Sequence, residues 1–561
     1  MFSRRDFLRF SSIVGGSVVL STALSGRTAF AQSPALSAAT FEHGVASGDP
    51  LADGMILWTR ATPQDASKAL TLAWELAEDD AFTEVLRSGT AAAEASRDYT
   101  LKIDVRDLEP GKTYFYRFRS SDAQSSVGRA KTLPDATATR VRLAVMSCSN
   151  YPAGYFHAYR EASLIEDLDA FVHLGDYIYE YGADGYATER AKELGRRFPE
   201  DNAGELYTLA DYRRRYALYR GDADLQAMHA AAPCIAVWDD HEIANDTWRE
   251  GAENHTPEEG DFTARKLAAM QAWHEWLPVR PPSGEPDEQI YRSFDFGGLL
   301  ALHMLETRVV ARDRQLDYAD YRDPETGAMD AEAFTRDLSR ADRALLGESQ
   351  LAWLGSKLAS SEATWQLLGQ QVLMARMWMP AEVLGAESYR DIPPHLEALA
   401  ALKSRMLAGD ALSAEEQARL QRVTPYNLDA WDGYPAAREK LYAVAQQAGK
   451  RIVSLAGDTH NAWQSQLVDR NGETLGIELA TPSVTSPGME KYFQVDSSAA
   501  ESLAQSLTLL IEDLQYCNVH QRGFLTVTAT ASELQAEWTF LDSVHSPAYS
   551  VAGVHRERFS A

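Results

Sequence analysis

Two hydrophobic patterns divide the chain. Between residues 41 and 134, short runs alternate apolar and polar positions, as residues 69–76 and 99–105 do. A period of two is typical of strands with one buried face. The segment therefore predicts a small all-β domain, which a polar linker over residues 135–139 ends.

One stretch of this domain is more specific. Residues 108–118 place a Pro-Gly turn before an aromatic strand, in the order Leu-x-Pro-Gly-x-x-Tyr-x-Tyr. Pro-Gly pairs mark turns, and aromatic residues favour strands. The pattern resembles fibronectin type III domains.

A different pattern starts at Arg140. Continuous apolar runs at 141–146, 170–174, 234–238 and 451–456 alternate with helical patterns, which predicts an α/β core. Residues 384–424 read as a helical insertion rich in Ala, Leu and Glu, and strands near 523–541 are expected to join one of the sheets.

Each of these four apolar runs is followed by a polar cluster. Ligand sites of α/β sheets lie beyond the carboxyl ends of strands, so the clusters are candidates for one shared site. The four clusters are Ser147–Asn150, Gly175–Glu180, Trp238–Asp246 and Ala456–Trp463.

The clusters offer a thiol, a phenol, an amide, two imidazoles and several carboxylates. Carboxylates and a phenolate suit a hard cation, iron accepts a thiolate, and Asp and Asn oxygens suit a divalent hard cation. Two cations about 3.5–4 Å apart can clamp the oxygens of a phosphoryl transfer. Alone, a Gly-Asp pair is a common turn and Cys148 reads equally as a core thiol; the ordered set favours the metal site.

The N-terminus predicts export. A charged start, a short apolar run over residues 11–25 and the small-x-small site Ala29–Ala31 form a signal, and Ser3–Leu8 resembles a twin-arginine motif. We expect residues 1–31 to be removed, with a periplasmic or secreted product and the twin-arginine machinery as a partner during export. The apolar run is too short for a permanent membrane anchor.

The net charge of the chain narrows the range of possible functions. The formal net charge is −27, and the signal contributes +3, so the remainder carries −30. General attraction to polyanions is therefore absent, which argues against stable nucleic-acid binding. A phosphate ester would need a few arginines or metal ions. The three cysteines leave at least one free thiol and are not a disulfide framework.

The motif order identifies a family resemblance. "GDxxY", "DDHE" and "GDTH" resemble the calcineurin-like metallophosphoesterases, which include the purple acid phosphatases. Cys148 replaces the usual first Asp, Asp240 the usual Asn and Asp458 the usual first His, and these departures are typical of the PhoD-type alkaline phosphatases. Residues 41–50, 56–60, 154–160 and 211–216 also resemble that family.

The resemblance implies an αββα-sandwich metallophosphoesterase domain over residues 140–545, preceded by the fibronectin type III-like β domain at 41–134. It further implies hydrolysis of phosphate monoesters, and of diesters in second place, by a metal-bound hydroxide. One Fe³⁺ and one or two Ca²⁺ ions are the implied cofactors.

By position in the motifs, the resemblance assigns iron to Cys148, Asp176 and Tyr179. His460 is a further iron ligand candidate, and Asp176 would bridge to the divalent ion. Replacing neutral ligands by carboxylates makes the second site harder, which favours calcium over zinc.

The resemblance assigns calcium to Asp240, Asp458 and Asn245, although Asp239, Asp240 and Asn245 compete within the third motif. We further hypothesise that His241 stabilises the phosphoryl group or protonates the leaving oxygen. Arg160 is a candidate for gripping phosphate oxygens, with a surface salt bridge as the alternative.

Two other functions remain open at this point. A phosphodiesterase or phospholipase D-like hydrolase would use the same metal site on larger esters. A non-catalytic exported binding protein would use the β domain for adhesion, but the intact set of ligand candidates argues against it.

The export hypothesis predicts a specific defect. The double substitution Arg4→Lys with Arg5→Lys should trap the unprocessed precursor in the cytoplasm, because the paired arginines are the signal that the twin-arginine route reads. Cell fractionation with immunoblotting measures this, and Arg27→Lys is the control. Normal export of the double variant would refute twin-arginine dependence.

Overall fold

The computed structural model describes residues 18–20, 35–66, 68–281, 289–386 and 388–561. The predicted export signal lies outside the described residues except for Val18–Leu20. Strands and helices interleave along the chain, which confirms the mixed α/β prediction.

The described residues form eleven α-helices. They are α1 (His157–Ser163), α2 (Leu209–Arg220), α3 (Ala223–Ala231), α4 (Phe262–Trp276), α5 (Ala331–Leu338), α6 (Gly347–Ser360), α7 (Ile392–Leu407), α8 (Ala414–Gln421), α9 (Pro435–Gln447), α10 (Met489–Phe493) and α11 (Ser497–Leu510). Helices α7 and α8 lie within the predicted insertion.

Twenty-five strands accompany them. They are β1 (Val18–Leu20), β2 (Ala39–Thr40), β3 (Val45–Leu51), β4 (Gly54–Arg60), β5 (Thr62–Pro63), β6 (Leu70–Ala77), β7 (Val85–Ala93), β8 (Thr100–Val105), β9 (Thr113–Arg119), β10 (Gly128–Lys131), β11 (Val141–Met146), β12 (Ala170–His173), β13 (Cys234–Ala236), β14 (Arg292–Phe296), β15 (Leu300–Met304), β16 (Trp365–Gly369), β17 (Trp378–Pro380), β18 (Val423–Pro425), β19 (Ile452–Ala456), β20 (Ala462–Val468), β21 (Thr474–Ala480), β22 (Leu514–Asn518), β23 (Gly523–Ala529), β24 (Glu533–Leu541) and β25 (Val551–Ser560).

Two large sheets organise the chain. The first has the order β1-β8-β4-β3-β13-β12-β11-β23-β24-β25, and the second β14-β15-β16-β19-β21-β20-β22. Strands β11, β12 and β13 run parallel in the first sheet, and β15, β16, β19 and β21 in the second. Strands β23 and β24 join the first sheet, as predicted from the apolar pattern near residues 523–541.

Alternate residues of the second sheet face two different cores. Leu367 and Val453 pack with first-sheet residues such as Trp538, whereas their neighbours Leu368 and Ile452 pack with residues of the outer helices α6, α9 and α11. Successive strand side chains point to opposite faces, so a sheet buried on both faces needs apolar residues throughout. This explains the continuous apolar runs in the sequence.

The N-terminal strands form a second sandwich. Strands β3, β4 and β8 face a four-stranded sheet of order β10-β9-β6-β7, with Leu57, Ile103, Trp74 and Tyr116 in the core between them. Because β3 pairs with β13, the N-terminal strands also extend the first large sheet. The two segments with different sequence patterns are therefore joined through one continuous sheet.

Two further observations concern the predicted compartment. In the part of the chain that the structure describes, no helix combines the length and apolar character needed to cross a membrane. Cys148, Cys234 and Cys517 are all buried free thiols.

The joint between β3 and β13 predicts a stability effect. At Gly48, an added Cβ would lie 2.6 Å from the carbonyl oxygen of Cys234 and also against that of Pro278. Gly48→Ala should therefore lower the free energy of unfolding by about 1–3 kcal/mol through overpacking. Urea denaturation followed by circular dichroism measures the change.

The matched control is Gly553→Ala, since a Cβ at that edge-strand position meets no atom within 4 Å. Its effect should stay within about 0.5 kcal/mol. Equal stabilities of the two variants would show that close packing at Gly48 does not hold the joint.

Candidate metal centre

Four strands from the two sheets end close together, and a polar loop follows each. Strands β11, β12 and β13 belong to the first sheet and β19 to the second. The loops carry Cys148 after β11, Asp176 and Tyr179 after β12, Asp239 and Asp240 after β13, and Asp458 and His460 after β19.

Ligand atoms of these side chains form three overlapping groups, with the atoms of each group within 4.8 Å of one another. The groups are Cys148, Asp176 and His460; Asp176, Asp240 and His241; and Asp239, Asp240 and Asp458. Asp176 is shared by the first two groups and Asp240 by the last two. The shared carboxylates make one continuous cluster that has room for more than one cation.

Tyr179 belongs to the same cluster. Its hydroxyl donates to Asp176 Oδ2 at 2.9 Å, lies 3.3 Å from His460 Nε2 and accepts a 2.6 Å hydrogen bond from Ser486. Burial raises the pKa of Tyr179 well above its usual value, and the nearby Asp176 and Cys148 add to this effect. The phenol is therefore held next to the first group, where the sequence placed it.

The backbone at the cluster is unusual. Cys148, Asp176, Asp458 and His460 all have φ between 54° and 63°, in the left-handed region. Non-glycine residues adopt this region at a cost, and such residues concentrate at functional sites. Gly175, at φ 106°, lets the β12 loop approach the β13 loop, because a Cβ there would lie 2.5 Å from the backbone nitrogen of Asp239.

Two glutamates brace the neighbouring loops against each other. Glu242, from the β13 loop, accepts from the backbone N–H groups of Asp176 at 3.0 Å and Tyr177 at 2.5 Å. Glu180, from the β12 loop, accepts from His241 Nδ1 at 2.7 Å and from the Asn245 backbone N–H at 2.8 Å. Both glutamates lie inside the predicted motifs, but no pattern of residues assigns them this role.

A buried arginine supplies positive charge to the cluster. Arg308, which is 0% exposed and follows strand β15, forms ion pairs with Asp239, with Asp429 at 2.8 Å and with Asp458 at 3.1 Å, and lies 3.6 Å from Asp240. Sequence reasoning missed it. The available signal was its position three residues after the largely apolar run 299–305, which resembles the strand-end position of the candidate ligands.

The carboxylates nevertheless outnumber the cationic side chains. Burial raises the pKa of Asp176 to about 7, with Asp240 adding to the rise and His241 opposing it. Burial, together with neighbouring carboxylates, also raises the pKa values of Asp239 and Asp458 well above their usual range. Positive charge beyond Arg308 and His241 would hold these groups ionised.

The donor set fits metal ions. Among the described residues, Asp176 Oδ1, Asp239 Oδ2 and Asp240 Oδ1 are buried and have no hydrogen-bond partner. Buried carboxylate oxygens normally have partners, so unpartnered ones that converge point to a cation. A thiol, a phenol and an imidazole surround one end of the cluster, and carboxylates alone the other, which matches two kinds of cation.

His241 lies at the centre of the cluster. Its ring stacks on Tyr179, with 4.2 Å between ring centroids, and Glu180 engages its Nδ1. Burial lowers its pKa, but the carboxylates of Asp240, Glu180 and Asp176 outweigh burial and raise the pKa well above the usual value. The second ring nitrogen is left to interact with a bound group.

Two predicted residues have other contacts. The side-chain amide nitrogen of Asn245 donates to Glu253 at 2.5 Å. Arg160 is exposed on α1, whose opposite face, with Ala158 and Tyr159, packs into the core; in the described part of the chain no hydrogen bond or ion pair links it to the cluster. Arg308 is the arginine that contacts the cluster, and the phosphate-binding role of Arg160 stays a prediction.

This two-sheet sandwich gathers candidate metal-ligating side chains at its strand ends, which defines the class of α/β proteins with a candidate metal centre. Comparison with known proteins narrows this class. A family model described as PhoD-like phosphatase matches residues 143–538, and the model for the N-terminal domain of these phosphatases matches residues 27–134. The chain belongs to the PhoD-like phosphatase family, whose members are phosphate ester hydrolases.

Individual relatives support the same family membership. Alkaline phosphatase D of Bacillus subtilis (strain 168) is 33% identical over 575 residues, which cover 98% of this chain and 86% of the relative. A solved structure of PhoD superposes with a TM-score of 0.73 at 30% identity, covering 95% of this chain and 92% of that chain. The family resemblance predicted from the motifs is confirmed.

The position of Arg308 predicts a large stability effect. Arg308→Gln should lower the free energy of unfolding by about 3–5 kcal/mol, because it leaves buried carboxylates without their cationic partner. Urea denaturation in the presence of a chelator measures this effect without a contribution from bound metal.

Arg340→Gln serves as the control, since the Arg340–Asp342 pair is exposed and should leave the denaturation midpoint unchanged. A midpoint shift of the same size in both variants would show that Arg308 does not balance the charge of the cluster.

Proposed function

We propose that this chain is an exported phosphatase that cleaves phosphate monoesters, and diesters in second place, at a cluster that holds one ferric ion and one or two calcium ions. The observation that carries the proposal is the sharing of Asp176 and Asp240 between three ligand groups. Shared carboxylates are what neighbouring cations need as bridges. Export to the periplasm or medium rests on the sequence of residues 1–31.

Each end of the cluster suits one kind of ion. Cys148, Tyr179 and His460 surround Asp176 at one end, and the thiolate and phenolate favour a ferric ion there. At the other end Asp240 and Asp458 offer oxygen ligands, which suit calcium. The grouping of Asp239 with Asp240 and Asp458 supports Asp239 as a calcium ligand, and Asn245 stays a candidate.

Bound cations would neutralise the phosphate and lower the pKa of a water molecule, so that the water can attack phosphorus. A residue of the protein supplies the proton that the leaving oxygen of the ester takes up. His241 is held by Glu180 through Nδ1 and by stacking on Tyr179, so its second nitrogen can donate a hydrogen to the leaving oxygen. Arg308 fixes Asp239 and Asp458 in place and does not reach solvent.

We also propose three segments: an export signal at residues 1–31, a fibronectin-like β domain at 41–134 and a catalytic domain at 140–545. One contact supports the fibronectin-like assignment. The hydroxyl of Tyr114 accepts a 2.9 Å hydrogen bond from the backbone N–H of Glu109, the kind of tyrosine corner found in immunoglobulin-like sandwiches. The family-model boundaries at residues 134 and 143 support the division.

The ferric assignment predicts colour. Thiolate and phenolate donate electron density to ferric iron, so the purified protein should show a visible charge-transfer band. Tyr179→Phe should shift or bleach this band, and Cys148→Ala should lower both iron content and the rate of phosphate release. Absorption spectra, elemental analysis and a chromogenic phosphate ester assay measure these three quantities.

The controls are Tyr114→Phe and Cys517→Ala, which remove the same chemical groups outside the cluster and should leave the band intact. A calcium chelator should abolish activity, and calcium but not zinc should restore it. A colourless, iron-free and fully active protein would overturn the ferric site. A panel of mono- and diesters then ranks the two substrate classes.

A further inference from the structure

The solvent side of the cluster carries exposed tyrosines. Among the large hydrophobic side chains that remain exposed in the described part of the chain, only two are aromatic, Tyr389 at 66% and Tyr492 at 45%. Exposed apolar side chains are unremarkable singly, but aromatic ones gathered beside a site mark a binding surface. Both lie near the metal cluster.

A row of rings leads from the cluster to Tyr492. The hydroxyl of Tyr186 lies 3.2 Å from His460 Nδ1, and its ring stacks near the rings of Tyr179 and His460, each at a centroid distance of 6.1 Å. Tyr492 donates to the Tyr186 hydroxyl at 3.1 Å. The ring of Tyr492 is thus two hydrogen bonds from a candidate iron ligand.

Tyr389 lies beside Tyr492. Its ring centroid is 6.4 Å from that of Phe493, the neighbour of Tyr492 in α10. Burial raises the pKa of Tyr426, and Tyr492, Asp458 and Tyr389 are all close enough to Tyr426 to add to the rise. We call Tyr186, Tyr389 and Tyr492 the tyrosine rim.

Two of the three cationic side chains at the rim are ion-paired. Lys491 pairs with Glu189 at 3.3 Å and Arg522 pairs with Glu490, whereas Arg390 donates to the neutral amide of Gln494 and keeps its positive charge. The rim therefore offers an approaching ester one cationic group beside the faces and hydroxyls of tyrosine rings. Planar rings stack on such faces in offset geometry.

The apolar surface is also small. Met406 and Leu407, which are also exposed, lie at the far end of α7, about 20 Å along the helix from its start near Tyr389, and Val423 is exposed singly on β18. An acyl chain would need a continuous apolar groove between these points. A single planar ring needs only one or two tyrosines.

We propose that the tyrosine rim binds the alcohol portion of the substrate by stacking, and that this enzyme selects phosphate esters whose alcohol carries a planar aromatic ring. The proposal rests on the proposed function, because it takes the phosphate to lie at the cluster. Aryl phosphates and nucleoside monophosphates share this chemistry. Tyr389 and Tyr492 are the specificity-determining residues.

The test compares substrates that differ in the ring. For Tyr492→Ala and Tyr389→Ala, kcat/KM for phenyl phosphate should fall about tenfold relative to wild type, the size of one lost stacking contact. The values for cyclohexyl phosphate and glycerol 3-phosphate should change less than twofold. Tyr492→Phe should retain phenyl phosphate turnover, and Leu164→Ala, an exposed apolar residue elsewhere, is the control.

Two further measurements separate the possible outcomes. A larger loss for adenosine 5′-monophosphate than for ribose 5-phosphate would extend the preference to nucleotides, whereas equal losses would restrict it to small aryl esters. Equal losses for phenyl, cyclohexyl and glycerol esters, or no loss, would overturn the rim proposal.

A binding measurement does not depend on turnover. Isothermal titration calorimetry gives the affinities of the metal-loaded protein for phenylphosphonate and for methylphosphonate. Tyr492→Ala should weaken phenylphosphonate about tenfold and leave methylphosphonate unchanged. If wild type hydrolyses no ester, the proposed function fails, and this binding comparison still decides the rim: equal weakening of both ligands, or none, overturns it.

Discussion

The repulsion between buried carboxylates is the constraint on which this site depends. Asp176, Asp239, Asp240 and Asp458 come from three different strand ends, yet their oxygens lie within a few ångströms of each other and mostly out of water. Isolated buried charges are too costly to persist, so such a cluster requires compensating cations. Arg308 is a fixed one, and metal ions are the ones that the remaining unpartnered oxygens fit.

This constraint accounts for the rigidity of the surrounding loops. Left-handed backbone at Cys148, Asp176, Asp458 and His460 is strained, and it persists only where neighbouring contacts determine it fully. The reciprocal bonds of Glu180 and Glu242 provide such contacts, because each glutamate holds backbone of the loop to which the other belongs. These contacts hold the loops that carry the candidate ligands, which lowers the cost of assembling the site.

The sequence predicted the ligands better than their surroundings. Cys148, Asp176, Tyr179 and Asp458 follow apolar strand runs, and carboxyl ends of parallel strands meet at one edge, so their convergence could be expected. Arg308 could not be chosen in the same way, because a lone arginine after a strand carries no motif. The side-chain amide of Asn245 donates to Glu253, eight residues away in an exposed loop, and no periodic pattern records that contact.

The fold was predictable from the sequence to about the same extent as the candidate site. Period-two alternation and continuous apolar runs distinguished half-buried from fully buried strands, and the structure bears out both kinds. The pairing of β3 with β13 was not predictable, since one register contact at Gly48 and Cys234 joins segments far apart in the chain. Strand order depends on such long-range contacts, which the local periodicity of a sequence does not record.

Net charge gives the arrangement a functional meaning. A chain at −27 repels anions over most of its surface, so phosphate esters gain nothing from long-range steering. Inside the cluster, Arg308 and His241 supply positive charge, and bound cations would add to it. Before an ester reaches that depth, the proposed tyrosine rim can hold its ring by stacking, which is insensitive to the negative field. A phosphatase with this large negative net charge therefore gains from recognising the alcohol portion of its substrate as well as the phosphate.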